Sequence, residues 1–491
     1  MKNLQDDDKI LSNYIQGDSW RKRSCYHENK IVVPIHIYGD DVETGNALGM
    51  SVFYSDDRKT YGNKSIFNKV IDDLNDLIEN GIKLTIHGEK QKIYFDCGLI
   101  LGDYLGLNDI FLGFVESFNS GYPCRICSMP IETLRTSISE DSSLLRNPQN
   151  YKADVKKNNY SLTGIKEESV DIMHDVHKGS GNYAMRKIVH QLVIEDQVIP
   201  YKTLVDRMET FPNGLTERGN KPPIIKLKHL KENKILKMSA SEMGCFIRYF
   251  GLMFGDLVPR DNTIWSFYLV IRQIFDIITA PSLLRNDAFV GNLTLKSHNM
   301  GHYSQLMLRN GPLIHHWSMR CESKHRDLTI PAVTPSSSKN LLVTIATRDQ
   351  LKATYLSIFG NFNNNILKVK SKDHDEDYDE DYDEDYDEDK KKYFPLILPS
   401  DIQRLDHVVY NGHTYRSNTV VLVQIDKNDD PHFGKIYKIY AIANDVFLAM
   451  YGISPIAFDR HYHGWNVKIN SHADYVRNLN RLPSIAPCLS I

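Results

Sequence analysis

The amino-acid sequence predicts an α/β fold joined to a long helical region and to a small β domain on the C-terminal side. Two apolar runs, Ile31–Tyr38 and Lys92–Leu101, are rich in β-branched and aromatic residues and predict buried strands. Apolar residues at helical spacing between Ile66 and Ile78 predict an amphipathic helix between these strands. Beyond Phe394, β-rich runs alternate with turns, which predicts the separate β domain.

The strand–helix–strand order predicts that the two strands are adjacent and parallel, with the helix packed on the sheet. Asn63 is a residue type that caps helix starts, and Gly81 is typical of the position just after a helix. Each strand run is followed by an aspartate, Asp40 in the first case and Asp103 in the second. Because sites form at the carboxyl ends of strands in α/β sheets, the two carboxylates are candidates for one site.

The order of these patterns divides the chain into six segments. An acidic low-complexity run, Asp373–Asp389, cannot bury a core and predicts a disordered linker between folded parts. The predicted segments are a polar N-terminal segment (1–30), the first part of the α/β core with a CxxC loop (31–130), a mainly helical insertion (131–290), the end of the core with two histidines and a final Glu helix (291–365), the acidic linker (366–393) and the small β domain (394–491).

Charge is distributed unevenly along the 491 residues. The acidic run holds 13 of the 62 acidic residues, so 49 remain against 59 Lys and Arg, a net charge of +10 outside the run. A basic folded part permits a polyanionic partner, although a solvated basic surface is the simpler explanation of the charge alone. Six lysines between 221 and 237 could follow a DNA backbone, or could belong to a solvated loop: Lys221, Lys226, Lys228, Lys231, Lys234 and Lys237.

Composition also excludes several classes of protein. The first 30 residues lack the apolar stretch of a secretory signal. The longest apolar stretch, Ile264–Ala280, is interrupted by Arg272 and Asp276, which favours a buried helix over a membrane span. Seven cysteines are too few for a disulfide framework and indicate a reducing compartment. We therefore expect an intracellular protein without membrane association and without a small-molecule substrate.

Three carboxylates are candidates for a catalytic metal centre. Cleavage and transfer of DNA strands uses two Mg²⁺ ions about 3.5–4 Å apart, held by carboxylates from separate elements. Asp40 and Asp103 at the strand ends, with Glu322 from a later helix, would supply such a set for Mg²⁺ or Mn²⁺. Aspartates that follow strands are more often turn or cap residues, so the pattern alone leaves both interpretations open.

Two cysteines and two histidines form a second candidate site. Cys124 and Cys127 have the two-residue gap that lets both thiolates face one Zn²⁺ ion. His298 and His302 are four residues apart, so one helix would present both imidazoles on the same face. The four side chains would make a tetrahedral structural zinc site. The alternative is a pair of helix histidines and a loop that binds no metal.

Five blocks of the sequence, in order, resemble those of the CACTA (En/Spm-like) DD-E transposases, especially animal proteins derived from them. The blocks are IYGDDVETGNALG, FNKVIDDLNDLIENGI, LILGDYLGLNDIFLGFVESFNSGYPCRIC, SVDIMHDV and GPLIHHWSMRCESKHR, between Ile31 and Ala346. The resemblance implies an RNase H-like mixed sheet with a large all-α insertion. It also implies that Asp40, Asp103 and Glu322 form the metal triad, and that Asp171 and His174 are the Asp-x-x-His signature. The cysteine and histidine pairs are similar to the zinc site of the related V(D)J recombinase.

The resemblance implies a transposase core that cuts and joins DNA in the nucleus, with a homo-oligomer as one possible state. Three departures point to a truncated copy. Asn46–Ser65 leaves room for only one short strand where the family has two. His177-Lys178-Gly179 stands where relatives have Glu-Gly, and no DNA-reading domain precedes Ile31. The incomplete sheet is expected to leave the Asp40 strand at a sheet edge and to weaken catalysis. The alternative function is that of a non-catalytic, domesticated DNA- or protein-binding protein.

Overall fold

A computed structural model gives the architecture of most of the predicted core and of the β domain. It describes residues 10–24, 27, 30–38, 42–43, 49–50, 55–86, 88–103, 107, 121–134, 141–147, 169–214, 217–284, 298–319, 321–322, 347, 350–351, 354, 366–370, 392–398, 401–410, 413–427, 430–443 and 445–482. The chain is mixed α/β and forms two compact units. Unit 1 comprises Met1–Glu195, Lys226–Arg248 and Ser266–Leu351, and unit 2 comprises Asp196–Ile225, Tyr249–Trp265 and Lys352–Ile491.

In the described part of the chain, helices and strands alternate through the first two thirds, and the elements that follow are mainly strands. In chain order the main elements are β1 (Ile10–Leu11), α1 (Asp18–Ser24), β2 (Ile31–Tyr38), β3 (Val42–Glu43), β4 (Gly49–Met50), α2 (Ser55–Glu79), β5 (Ile82–Ile86), β6 (Glu89–Leu101), α3 (Ile131–Leu134), a π-helical segment (Met173–Ser180), α4 (Gly181–His190), α5 (Tyr201–Thr210), α6 (Leu227–Lys231), α7 (Ala240–Phe254), α8 (Thr263–Ile278), β7 (Leu283–Leu284), α9 (His298–Gly301), α10 (Tyr303–Asn310), β8 (Ile366–Lys370), β9 (Ile402–Tyr410), β10 (His413–Arg416), β11 (Val420–Ile425), β12 (Pro431–Ile442), β13 (Asp445–Asp459) and β14 (Gly464–Asn478).

The central sheet of unit 1 has the strand order β2-β6-β5. Strands β2 and β6 are parallel, with Ile31 opposite Ile93 and Tyr38 opposite Leu101, while β5 pairs with β6 antiparallel. Helix α2 contacts β6. The predicted adjacent parallel strands are therefore confirmed. Among the described strands, β2 has a neighbour on one side only, as expected for an edge strand.

The connection from β2 to α2 differs from the prediction in one respect. Helix α2 begins at Ser55, eight residues before Asn63. The sequence Asp56-Asp57 is consistent with this start, because acidic residues are favoured in the first turn of a helix. Gly81 stops the helix as predicted: its φ is +59°, and its N–H donates to the Leu77 carbonyl at 3.2 Å.

Residues 10–24 of the predicted N-terminal segment pack against the sheet and are not separate from the core. Tyr14, Ile15 and Trp20 are buried in one cluster with Val32 and Leu99. The few apolar residues among residues 1–30 show no regular period, which is why the sequence pattern did not assign them to the core.

The helical region predicted for residues 131–290 is present but is not one body. Its described parts belong to unit 1 except for Asp196–Ile225 and Tyr249–Trp265, which belong to unit 2. The predicted capping box before α7 is formed, since the Ser239 N–H donates to Glu242 at 2.7 Å and the Glu242 N–H donates to Ser239 at 3.3 Å. None of the described helices combines the length and apolar character needed to cross a bilayer.

The β domain is a seven-stranded antiparallel sheet in unit 2. Its main path is β10-β9-β12-β13-β14, with β11 on β12 and β8 on β9. Fully buried residues such as Val408, Tyr415 and Ile436 form its core. The predicted boundary at residue 394 is corrected, because Ile366–Lys370, assigned to the linker, pairs with β9. Its alternating Ile-Leu-Lys-Val-Lys pattern suits a strand, although the adjacent acidic run obscures it.

The turn between β13 and β14 packs against helical residues of the same unit. Trp265 is fully buried, and its indole N–H donates to the His461 carbonyl at 2.9 Å. His461 in turn donates from Nε2 to the Gly255 carbonyl at 2.7 Å. Arg260 pairs with Asp459 at 2.8 Å. This hairpin turn therefore completes the hydrogen bonding of buried helical residues.

Candidate metal centres

The CxxC loop is held in a fixed shape by a short antiparallel contact with residues 144–146. Cys127 bridges Leu145, the Ser128 N–H donates to the Leu144 carbonyl at 2.8 Å, and the Arg146 N–H donates to the Ile126 carbonyl at 2.9 Å. The Ile126 N–H also points at the Cys124 sulfur, 3.3 Å away. A backbone N–H directed at sulfur stabilises a thiolate, so the loop is shaped for a thiolate ligand.

The two histidines lie at the junction of α9 and α10. His298 opens α9, while His302 precedes α10, so the predicted single helix is broken at His302. Nε2 of His298 is 3.1 Å from Sγ of Cys127, and Nε2 of His302 is 3.7 Å from Sγ of Cys124. The two Nε2 atoms are 3.2 Å apart. All four side chains are buried, and their ligand atoms lie within 4.8 Å of one another.

These distances fit one tetrahedral ion. Zinc bonds of about 2.3 Å to sulfur and about 2.0 Å to nitrogen separate neighbouring ligand atoms by about 3.3–3.8 Å. Burial raises the pKa of the Cys124 thiol, so a cation is needed to hold two thiolates in this position. The cluster of Cys124, Cys127, His298 and His302 could therefore hold a zinc ion, as the sequence predicted.

The Asp171–His174 signature forms a hydrogen-bonded pair at the start of the π-helical segment. The Asp171 carboxylate is buried and accepts from the Ser318 N–H at 3.1 Å, from the Ser318 hydroxyl at 2.6 Å and from Nδ1 of His174 at 2.5 Å. Burial opposes the charge on Asp171, but the hydrogen bonds outweigh it and lower the pKa of the carboxyl. Burial likewise opposes the charge on His174, while the bond to Asp171 raises the pKa of the ring.

Glu322 lies beside this pair. The Glu322 N–H donates to the Ser318 carbonyl at 2.8 Å, which forms the helical turn predicted for this residue. Oε1 of Glu322 is 3.4 Å from Nε2 of His174, and Oε2 is 3.6 Å from Nζ of Lys178. His174 and Glu322 are 148 residues apart in the sequence. The Asp171–His174 pair and Glu322 therefore meet in one half-buried cluster.

The two aspartates of the predicted triad have different outcomes. Asp40 lies outside the described residues. Asp103 lies two residues after the end of β6, is half-buried, and its carbonyl accepts from the Leu107 N–H at 3.0 Å. Within the described part of the chain, the zinc cluster is the one set of three or more Cys, His, Asp or Glu side chains that could share an ion, so no described set includes Asp103 or Glu322.

The lysine segment is exposed, as a DNA-backbone contact requires. Two of its residues, Lys228 and Lys234, pair with Glu232. The other lysines of the segment that belong to unit 1 show no ion pair among the described contacts. The exposed members are Lys226, Lys228, Lys231, Lys234 and Lys237, with Lys221 in unit 2. Exposure is consistent with phosphate contacts and with a solvated surface alike.

Sequence reasoning missed two buried groups near the signature. Ser318 supplies two of the bonds to Asp171, and nothing in its local pattern distinguishes it. Asp175 is buried and accepts from Tyr303 at 3.1 Å and from Asn299 at 3.2 Å; burial raises its pKa to about 6. An aspartate four residues after Asp171 on a buried helical face was the available signal.

No protein-family model and no curated protein sequence matches the chain. The geometry of the zinc cluster and of the Asp171–His174–Glu322 cluster is therefore the basis for assigning a function.

Proposed function

We propose that the chain is a transposable-element-derived protein built on a DD-E transposase core with an RNase H-like sheet. The observation that carries the proposal is the contact between the Asp171–His174 pair and Glu322. The sequence resemblance assigns these residues to two different blocks, and a shared metal centre would give these two blocks a reason to meet. The parallel pairing of β2 with β6, which end beside Asp40 and Asp103, supports the same assignment.

Three contacts support convergence of the triad at one end of the sheet. The His36 ring, on the strand that leads to Asp40, lies 5.5 Å from the His316 ring. The Ser169 N–H, two residues before Asp171, donates to the Ile100 carbonyl at 3.4 Å, three residues before Asp103.

The third contact joins the Asp171 segment to the Glu322 segment, because Ser318, four residues before Glu322, donates to the Asp171 carboxylate. The segments that lead to Asp40 and Glu322 thus contact each other, and the segments that lead to Asp103 and Glu322 both contact the Asp171 segment. This arrangement favours a shared centre over three unrelated aspartate and glutamate turns.

The chemistry of such a centre is phosphoryl transfer. Two bound Mg²⁺ or Mn²⁺ ions would activate the attacking hydroxyl and stabilise the leaving oxygen of the DNA phosphate. Asp40, Asp103 and Glu322 would hold these ions, and Asp171 would orient His174 beside Glu322. The exposed lysines of 226–237 would contact phosphates without reading bases. DNA as the substrate and the nucleus as the location belong to the same proposal.

A plasmid-nicking assay tests the proposal. The full chain is incubated with supercoiled DNA and Mg²⁺ or Mn²⁺, beside the Asp103→Ala and Glu322→Gln variants. Cleavage that is lost in both variants would support an active transposase core. Cleavage that both variants retain would come from a contaminant and would remove the catalytic assignment.

A second function, that of a non-catalytic DNA- or protein-binding protein, is favoured by two observations. Lys178 places a positive charge beside Glu322. Strand β2 is an edge strand among the described residues, and an edge strand holds a metal-binding side chain less rigidly. If the full chain binds duplex DNA in a salt-dependent way but does not nick it, this second function is preferred. Loss of DNA binding on neutralising Lys226, Lys228 and Lys231 would assign DNA binding to the surface that carries these lysines.

A further inference from the structure

The ring of His174 is oriented so that one nitrogen is available as a ligand. Nδ1 donates its hydrogen to Asp171 at 2.5 Å, so Nε2 is the nitrogen that would bind a metal, which would displace any proton there. A buried carboxylate behind a histidine is the arrangement that orients metal-binding imidazoles in proteins. Asp171 is itself fixed by two bonds from Ser318, so the orientation is rigid.

Nε2 of His174 and the Glu322 carboxylate form a pair of donors at metal-binding distance. Oε1 of Glu322 lies 3.4 Å from Nε2. Two donors with bonds of about 2.1 Å to one ion are about 3.0–3.4 Å apart, depending on the coordination geometry. An imidazole and a carboxylate together suit Mn²⁺ and related divalent ions.

The ammonium group of Lys178 contacts both donors. Its Nζ lies 3.4 Å from Nε2 of His174 and 3.6 Å from Oε2 of Glu322. Lys178 reaches them because it follows His174 by four residues in the π-helical segment. A unit positive charge at this distance repels a second cation, and its N–H groups engage the lone pairs that a metal would need.

We propose that Lys178 is a built-in cation that takes the place of a divalent ion between His174 and Glu322, and so keeps this half of the centre free of metal. The inference rests on the proposed descent from a DD-E core, in which Glu322 stands at a metal-ligand position, and it favours the second, non-catalytic function over cleavage by the wild type. It goes beyond that function because it names the residue that blocks the ion. Removing the Lys178 charge should therefore create a divalent-ion site that the wild-type protein lacks.

The test measures Mn²⁺ binding by the full-length protein, from the electron paramagnetic resonance signal of free Mn²⁺. Lys178→Met and Lys178→Gln should each bind Mn²⁺ at least about tenfold more tightly than the wild type. Lys178→Arg keeps the charge and should resemble the wild type. Lys202→Met is the matched control, because Lys202 is also an exposed helical lysine. Adding Glu322→Gln to Lys178→Met should abolish the gain.

Two results would overturn the inference: unchanged Mn²⁺ affinity in both neutral variants, or a gain that persists after Glu322→Gln. Thermal unfolding of each variant establishes that it is folded, and a half-exposed ion pair contributes little to stability, so a near wild-type midpoint is expected.

Nicking is measured separately. Tighter Mn²⁺ binding without nicking supports the inference and counts against catalysis. Nicking by the wild type, with Mn²⁺ affinity unaltered by Lys178→Met, supports the proposed function and contradicts the inference.

Discussion

Removal of zinc is expected to destabilise unit 1 strongly. The Cys127–His298 contact joins residues 171 positions apart, so a bound ion closes a very long loop. By the chain-entropy relation for cross-links, a cross-link that closes a loop of this length restricts the unfolded chain and so stabilises the folded state by about 5 kcal/mol. For a unit of this size, that corresponds to a fall of roughly 10 °C or more in the unfolding midpoint.

The assay combines metal analysis with thermal unfolding. Wild-type protein should contain one zinc per chain and unfold at a lower temperature after chelation. Cys127→Ser should reproduce the chelated state, whereas Cys321→Ser, which changes a cysteine outside the cluster, should retain both zinc and stability. The reasoning is refuted if Cys127→Ser keeps a full complement of zinc, or if zinc is absent and chelation leaves the midpoint unchanged.

Three further predictions concern unit 1. Burial lowers the pKa of His36 to about 4 and of His316 to about 3, below the value of 6.5 in the unfolded chain. The contribution of each neutral ring to the free energy of unfolding is therefore present above pH 6.5 and is lost as the pH falls from 6.5 toward the folded-state pKa. Urea unfolding should show a loss of about 2 kcal/mol per histidine between pH 7 and pH 5, and His316→Phe should remove its share. Asp171→Asn should lower the pKa of His174, measured by NMR titration, and cost about 2 kcal/mol in chemical unfolding. Gly311→Ala should cost about 1–3 kcal/mol by the same measurement, because φ is +83° and the new Cβ would lie 2.6 Å from the Asn13 carbonyl; an unchanged value would contradict this account.

The sequence predicted the elements whose signals are local. The parallel strands β2 and β6, the stop at Gly81 and the capping box at Ser239 follow from periodicity and from cap chemistry, which act over a few residues. The Cys₂His₂ cluster was also predicted, because metal-ligand spacing restricts which residues can pair.

Contacts between distant segments were not predictable in the same way. Ser318 binds Asp171 across 147 residues, and no local pattern marks a serine as the partner of a buried carboxylate. Tyr14 and Trp20 join the core from a segment that is polar overall. The assignment of Ile366–Lys370 to the linker failed because strand pairing depends on the partner strand β9, and not on composition alone.

The hairpin turn that carries His461 constrains the order of events during synthesis. The indole N–H of Trp265 cannot form its native hydrogen bond until the acceptor, the His461 carbonyl 196 residues later in the chain, has been translated. At about 5–20 residues per second, that interval is roughly 10–40 s. During this time the indole and the Gly255 carbonyl lack their final partners, and the part of unit 2 already synthesised cannot complete its native packing. A ribosome stalled before His461 should therefore hold unit 2 in an incompletely packed state.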